Sequence, residues 1–215
     1  MNNFLQRTRT AFVIVITFLV FLLLPPLFFA SFFLILLCCV LYFEWSVICV
    51  KQPLFYFLTP IYPMLPFFLL MHLALIKQGK IIITFLFLFT SFFDTFCYVI
   101  GNFLGKTPLL PSISPKKTVE GFFGGVIAVF VAALVYVQLA NVHSGVLFLM
   151  VIMLMTFVAA LGDLFESWIK RQSSVKDSGD LLPGHGGILD RVDSLLFVVM
   201  YFYFVKDTFL SHIHP

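Results

Sequence analysis

The chain has 215 residues, of which 61% are hydrophobic and 11% charged, against about 25% charged in an ordinary soluble domain. With a mean hydropathy of +1.09, a soluble fold of this size would run out of interior before it ran out of Phe and Leu, which excludes a soluble enzyme, a disordered chain and a small disulfide scaffold. The net charge of +3, from 13 basic and 10 acidic residues, falls short of the excess a nucleic-acid binder carries, and an all-α polytopic membrane protein remains, one domain over residues 1–215.

A spanning helix takes about 20 apolar residues. The first run, Thr10–Leu24, follows Arg7 and Arg9. It is expected to be a retained helix, since no small-x-small cleavage site follows it. After Pro25-Pro26 comes Leu27–Val50, then Leu54–Ile76, in which Pro60, Pro63 and Pro66 predict a kinked or broken helix. Ile81–Ile100, Thr118–Ala140, Gly145–Arg171 and Asp190–Phe209 complete a bundle of about seven transmembrane helices. The runs are continuous rather than alternating, which argues against a membrane barrel. Cys38, Cys39, Cys49 and Cys97 lie inside apolar runs without a CxxC pair and read as small hydrophobes.

Basic residues orient such a bundle. With the N-terminus in the cytoplasm, Arg7, Arg9, Lys51, Lys106, Lys116, Lys117, Lys170, Arg171, Lys176 and Arg191 fall inside and only Lys77, Lys80 and Lys206 outside. The two longest connections, Gly101–Lys117 and Gln172–Leu189, then share the cytoplasmic face and are expected to hold the active site. Glu44, Asp94, Glu120, Asp163 and Glu166 lie within or at the edges of spans, where an acid must be paired, hydrated or bound to a cation. For Glu44, alone in its run, a structural ion pair is the plainer reading. For Asp163 and Glu166 the polar surroundings favour function.

The most informative stretch is GDLFESWIKRQSSVKDSGDLLPGHGGILDRVDS, residues 162–194. As a helix, Asp163, Glu166, Ser167 and Lys170 share one face at i, i+3, i+4 and i+7. Gly184, Gly186 and Gly187 around His185 allow backbone N–H groups to approach phosphate oxygens closely, although glycines alone read equally well as a tight turn. Asp190 and Asp193 then lie at i and i+3 on the next helix. An acidic cluster ringed by Lys and Arg suits a hard cation such as Mg²⁺ bridging to a polyphosphate. Zinc would want more His or Cys than His185 supplies.

The pattern Ser167-x-x-Lys170-Arg171-x4-Lys176-Asp177-x-Gly179-x3-Pro183-x-His185-Gly186-Gly187-x2-Asp190-Arg191-x-Asp193 resembles the signature of the phosphatidate cytidylyltransferase (CDP-diacylglycerol synthase) family. Asp94, Gly101-Asn102-x-x-Gly105-Lys106, Ser114-Pro115-Lys116-Lys117-Thr118-x-Glu120-Gly121, Gly124-Gly125, Pro25-Pro26 and Glu44-Trp45 extend the likeness over nearly the whole chain, with residues 51–80 the weak stretch. Family members are commonly longer than this chain.

The resemblance implies that CTP and phosphatidate give CDP-diacylglycerol and pyrophosphate, in phospholipid biosynthesis, with Mg²⁺ as cofactor. Asp163, Ser167, Lys170, Arg171 and Asp190 are the expected catalytic residues. Lys106, Lys116, Lys117, Lys176, His185, Gly186, Gly187 and Arg191 are expected at substrate phosphates, and Asp163, Asp190 and Asp193 at the metal. Asp94 is a weaker metal candidate, with an ion pair as its alternative. No nucleic-acid partner is expected. A homodimer and a place in the bacterial inner (plasma) membrane complete the expectation. Two alternatives stay open: the same fold acting on another lipid phosphate, such as an isoprenoid ether lipid, and a membrane transporter using Asp94 and Asp163 along a path. Gly101-x3-Gly105-Lys106-Thr107 mimics a phosphate-binding loop but is one residue short and follows no strand. Asp163-x2-Glu166-Ser167 does not resemble the D-x2-D-G-x2-A-R run of CDP-alcohol phosphotransferases.

Overall fold

A computed structural model describes residues 2–139 and 145–213, without the side chains of residues 2–7, 208 and 210–213. The Arg7 side chain and the expected span end at Ala140 therefore lie outside what is described. Each of the seven apolar runs is helical. Helix α1 is Asn2–Leu23. The second run is one continuous rod, Pro26–Lys51, made of α2 (Pro26–Cys39), a π-helical turn at Val40–Trp45 and α3 (Ser46–Lys51). The proline-rich third run is broken as expected: a 3₁₀ turn at Pro53–Phe57, a π turn at Pro60–Met64 in which Tyr62 is extended (φ −145°, ψ 119°), then α4, Leu65–Leu75. Helices α5 (Gly79–Leu104), α6 (Val119–Leu139), α7 (Gly145–Gln172) and α8 (Leu189–Ile213) follow.

Four rods, Pro26–Lys51, α5, α6 and α7, are 21 to 28 residues long and apolar enough to cross a membrane. At 1.5 Å per residue even α6 reaches about 32 Å, against about 30 Å of hydrocarbon. Thr8–Leu23 and Pro60–Leu75 are apolar but shorter. The first turn of α8 carries Asp190, Arg191 and Asp193. The large apolar side chains left outward, such as Leu23, Phe57, Phe103 and Phe204 at 79–86% exposure, suit lipid rather than water.

One departure from an all-helical chain is a small antiparallel hairpin, β1 (Pro108–Leu110) with β2 (Ser114–Thr118). The Glu120 carboxylate, in the first turn of α6, accepts the backbone N–H groups of Lys106 and Thr107 and the Thr107 hydroxyl, all at 2.9–3.2 Å. Thr118 Oγ1 accepts the Gly121 N–H at 3.1 Å and caps α6. The hairpin is thereby clamped to the end of the helix it feeds.

Cross-links sort the bundle into two ends. Arg171 Nε donates to the Ile113 carbonyl at 3.0 Å, Ser173 Oγ to the Ile48 carbonyl at 3.4 Å and Thr10 Oγ1 to the Pro183 carbonyl at 2.9 Å. The hairpin, the end of α3 and the connection after α7 are thus neighbours, and the two long connections share one face. At the other end Lys80 Nζ donates to the Leu22 and Leu24 carbonyls; the helical donor to Leu22 would be the N–H that Pro26 lacks. The partition follows the charge asymmetry.

Helices α7 and α8 pack closely at Gly162. A Cβ there would lie 2.8 Å from the Asp193 carbonyl oxygen and 2.9 Å from Phe197 Cβ, so only glycine lets the two backbones meet. Gly162→Leu should push α8 off α7 and cost about 1–3 kcal/mol or more. Thermal denaturation in detergent, compared with Leu161→Ala on the exposed face of α7, measures it.

Candidate active site

The site is assembled from the polar end of α7, the turn-rich connection after it and the start of α8. The Glu44 carboxylate, fully buried in the π turn of the second rod, accepts the N–H groups of Ile188 at 2.6 Å and Leu189 at 2.8 Å and the Ser178 hydroxyl at 3.1 Å. These N–H groups open α8. Glu44 is therefore an N-terminal cap delivered by another helix, 145 residues away in the chain, and its charge meets the positive end of the α8 dipole. A π turn re-aims side chains within a helix, and here it turns Glu44 inward beside Trp45.

Asp190 fastens the same connection from within. Its Oδ2 accepts the N–H groups of Ser178 at 2.9 Å and Gly187 at 2.8 Å and the Ser178 hydroxyl at 3.0 Å, and its Oδ1 accepts Lys170 Nζ at 2.7 Å. A Cβ on Gly187 would fall 2.0 Å from Ser178 Oγ and 2.7 Å from the Glu44 carboxyl carbon, so the glycine is required by this crowding. Gly186 bridges back to Leu182, and the Arg191 guanidinium donates to the His185 carbonyl from Nε (3.1 Å) and Nη2 (2.5 Å). The His185 N–H donates to the Leu182 carbonyl at 2.8 Å.

Lys170, 12% exposed, is shared between Asp190 and Glu166, which is wholly buried. Lys117, from β2, is ion-paired with Asp163. Asp193 lies close enough to Asp163, Glu166 and Asp94 to feel their charges, and its Oδ1 accepts the Ser194 N–H at 2.8 Å. Beside this cluster a cleft of about 640 Å³ opens between α5, the hairpin and α7. Asp94 and Asn102 line it from α5, Lys116 and Lys117 from β2, and Asp163 from α7.

Residues 47–209 match the cytidylyltransferase family. The chain belongs to this family. Similar proteins are the phosphatidate cytidylyltransferases of Staphylococcus epidermidis, 46% identical over 124 residues (57% of this chain, 48% of the relative), and of Bacillus subtilis, 49% identical over 117 residues (54% and 44%). That of Staphylococcus aureus is 43% identical over 124 residues (57% and 48%). The chain spans about half the length of the curated relatives it matches.

In this member of the cytidylyltransferase family the expected residues divide by what they touch. Lys170, Asp190, Gly186, Gly187 and the backbone of His185 are knitted into one network. Arg171 reaches the hairpin and the Val175 carbonyl (3.3 Å), and Arg191 holds the glycine turn. Ser167 is buried in α7, 8% exposed. Lys106, Lys116 and Lys176 are exposed, and no carboxylate pairs with them among the described residues. Asp163 and Lys117 face each other across the cleft wall, and Asp94 joins them there. Glu44 has the structural role its isolation suggests, as a cap rather than an ion pair. Tyr62, absent from the sequence reading, is buried against the acids. Its signal was the proline-flanked break that holds it.

Among the described residues no three acid, His or Cys side chains converge as a ready-made metal cage. The donor set still fits a hard cation that shares its coordination with a substrate. Asp163, Glu166 and Asp190 pair with two lysines, Lys117 and Lys170, and Asp94 and Asp193 lie near them, so carboxylate oxygens outnumber the ammonium groups there. Mg²⁺ commonly takes only one or two carboxylates beside phosphates and water.

The cap carries a prediction. Glu44→Ala leaves the Ile188 and Leu189 N–H groups and the Ser178 hydroxyl buried without an acceptor, which should cost about 3 kcal/mol or more. Glu44→Gln, keeping one acceptor oxygen, should cost less. Limited proteolysis of the 173–188 connection in detergent should rank the proteins wild type, Glu44→Gln, Glu44→Ala in increasing rate of cleavage.

Proposed function

We propose that the chain is a phosphatidate cytidylyltransferase, acting in phospholipid biosynthesis at the cytoplasmic face of the bacterial inner membrane. The observation that carries this reading is the cleft in which Lys116 and Lys117 face Asp94 and Asp163, in a chain of the cytidylyltransferase family. The cleft opens at the basic-rich end of a bundle whose outer surface is apolar, so a nucleotide from water and a phosphate from the bilayer can meet there. The names of the relatives support the choice of lipid. The family resemblance also carries a homodimer into the reading.

An oxygen of the phosphatidate phosphate attacks the α-phosphorus of CTP. A new P–O bond forms, the bond from the α-phosphorus to the oxygen shared with the β-phosphate breaks, and pyrophosphate leaves with that electron pair. Both reactants are anions, so approach and in-line placement dominate the barrier. Lys106, Lys116 and Lys176 are free to bind phosphate oxygens, and Lys117 can exchange Asp163 for substrate. Lys170, Arg171 and Arg191 hold the frame and add positive potential. Asp163 and Asp193 are the first candidates to hold Mg²⁺. Asp190 can join them only by releasing one of its four donors. The cation, when bound, would screen the two anions from each other and steady the departing pyrophosphate. A phosphate monoester, with a second pKa of about 6, is already ionised at neutral pH, so His185 need not act as a base.

Purified protein given CTP, phosphatidate and Mg²⁺ should form CDP-lipid, and EDTA should abolish the turnover. An isoprenoid ether phosphate run beside phosphatidate separates the two lipid readings, and no CDP-lipid from either would overturn this function. Lys116→Ala and Lys117→Ala should each lower kcat/KM for CTP, by about thirty- to several-thousand-fold where the lost charge is desolvated. His185→Gln should slow the reaction less than either lysine variant and should not require high pH. A strictly alkaline requirement in that variant would make His185 the base. For the orientation, single cysteines at the exposed Ser112 and Asp180 in a Cys-free background should resist an impermeant reagent in intact cells and react after lysis.

A further inference from the structure

Tyr62 is one of the largest fully enclosed side chains, 2% exposed, and no donor or acceptor meets its hydroxyl among the described residues. A buried phenol in that state costs about 1–3 kcal/mol unless something unseen in the protein framework meets it. Its ring is clamped edge-on by Trp45 (5.7 Å), Phe165 (5.2 Å) and Phe197 (5.8 Å), one aromatic from each of the rods that build the site. The extended backbone at Tyr62, between Pro60 and Pro63, pushes the side chain out of the broken helix and into the bundle.

The clamp leaves the hydroxyl among the acids. The ring contacts of Tyr62 with Phe165 and Phe197 set it against the segments of α7 and α8 that carry Glu166 and Asp193. Glu166 has the complementary deficit. It is wholly buried, its Oε2 pairs with Lys170, and its Oε1 has no donor among the described residues. A buried donor without an acceptor and a buried acceptor without a donor thus lie in one neighbourhood, the Tyr62 ring touching Phe165, the residue before Glu166, and internal water is expected to join buried polar groups.

We propose that Tyr62 is a positioning residue of this site: its hydroxyl donates, through internal water, to the Glu166 carboxylate and so holds Glu166 against Lys170. Lys170 is divided between Glu166 and Asp190, and Asp190 carries the glycine turn. The tyrosine therefore sets the place of a cation it does not touch. Loss of the hydroxyl frees one side of that grip while leaving the aromatic packing intact.

The kinetic half of the test rests on the function proposed above, and the spectroscopic half does not. In the full-length protein, Tyr62→Phe should lower kcat by about tenfold or more with KM for CTP little changed. Phe165→Leu, which loosens the clamp without touching the hydroxyl, should lower the thermal midpoint but not the kcat of the folded protein. Ultraviolet resonance Raman difference spectra, wild type minus Tyr62→Phe, should show one tyrosine acting as a strong hydrogen-bond donor, and that band should move in Glu166→Gln. Should Tyr62→Phe not accumulate, the wild type minus Glu166→Gln difference carries the same signal. A wild-type kcat in Tyr62→Phe, or a tyrosine spectrum indifferent to Glu166→Gln, would overturn the proposal. If the wild type turns over no CTP, the functional reading fails while the Raman result still decides the role of Tyr62.

Discussion

A carboxylate wholly enclosed in an apolar bundle must find donors or a counter-charge, and Glu44 finds its donors at the start of another helix. That requirement organises the rest. The rod that carries Glu44 must lie against the first turn of α8, so the connection after α7 must fold back over both. Ser178 and Gly187 are then brought within reach of Asp190, and Asp190 brings Lys170. The polar end of the bundle is thus one hydrogen-bonded unit spanning three helices and a loop, in surroundings where an unmade bond is costly.

This economy separates two kinds of basic residue. Lys170, Arg171 and Arg191 have fixed protein partners and shape the frame. Lys106, Lys116 and Lys176 are exposed on the hairpin side and after α7, unengaged by carboxylates among the described residues, and Lys117 stands between the two groups. A signature rich in Lys and Arg therefore does not translate residue by residue into ligand contacts. Part of it is the scaffold on which the remaining cations are displayed. The hairpin matters for the same reason: by pairing β2 with β1 it holds Lys116 and Lys117 at the lip of a cleft whose opposite wall is a helix.

The helices were legible because spanning segments are written locally, as long apolar runs, and the proline break at residues 60–66 was legible because proline removes a donor wherever it stands. The polar stretch from Gly162 to Ser194 announced itself by composition alone. What escaped was non-local. No periodicity reveals that Glu44 caps a helix 145 residues on, because the π turn that aims it looks like any apolar helix. The hairpin escaped because its strands are short, contain Pro108 and Pro115, and show no alternation. Asp190 reads in sequence as a metal ligand, and only the fold-back of the connection shows its acceptor capacity taken up by the protein's own donors. Tyr62 was hidden in the stretch of weakest pattern.

The mutual dependence of Glu44 and α8 bears on how the chain is built in the membrane. Helix α8 leaves the ribosome after the other described helices, and its first turn brings two acids and an arginine that lipid would not welcome by itself. Until it docks, Glu44 has no N–H donors and Lys170 lacks one of its two carboxylates. The earlier helices are thus inserted but electrically unfinished. Docking of α8 is then a single closing event for this polar unit, in which one later segment enters a slot already lined with its partners. A chain stalled before that step exposes buried charge inside the bilayer, the kind of defect by which membrane quality control can tell an incomplete protein from a finished one.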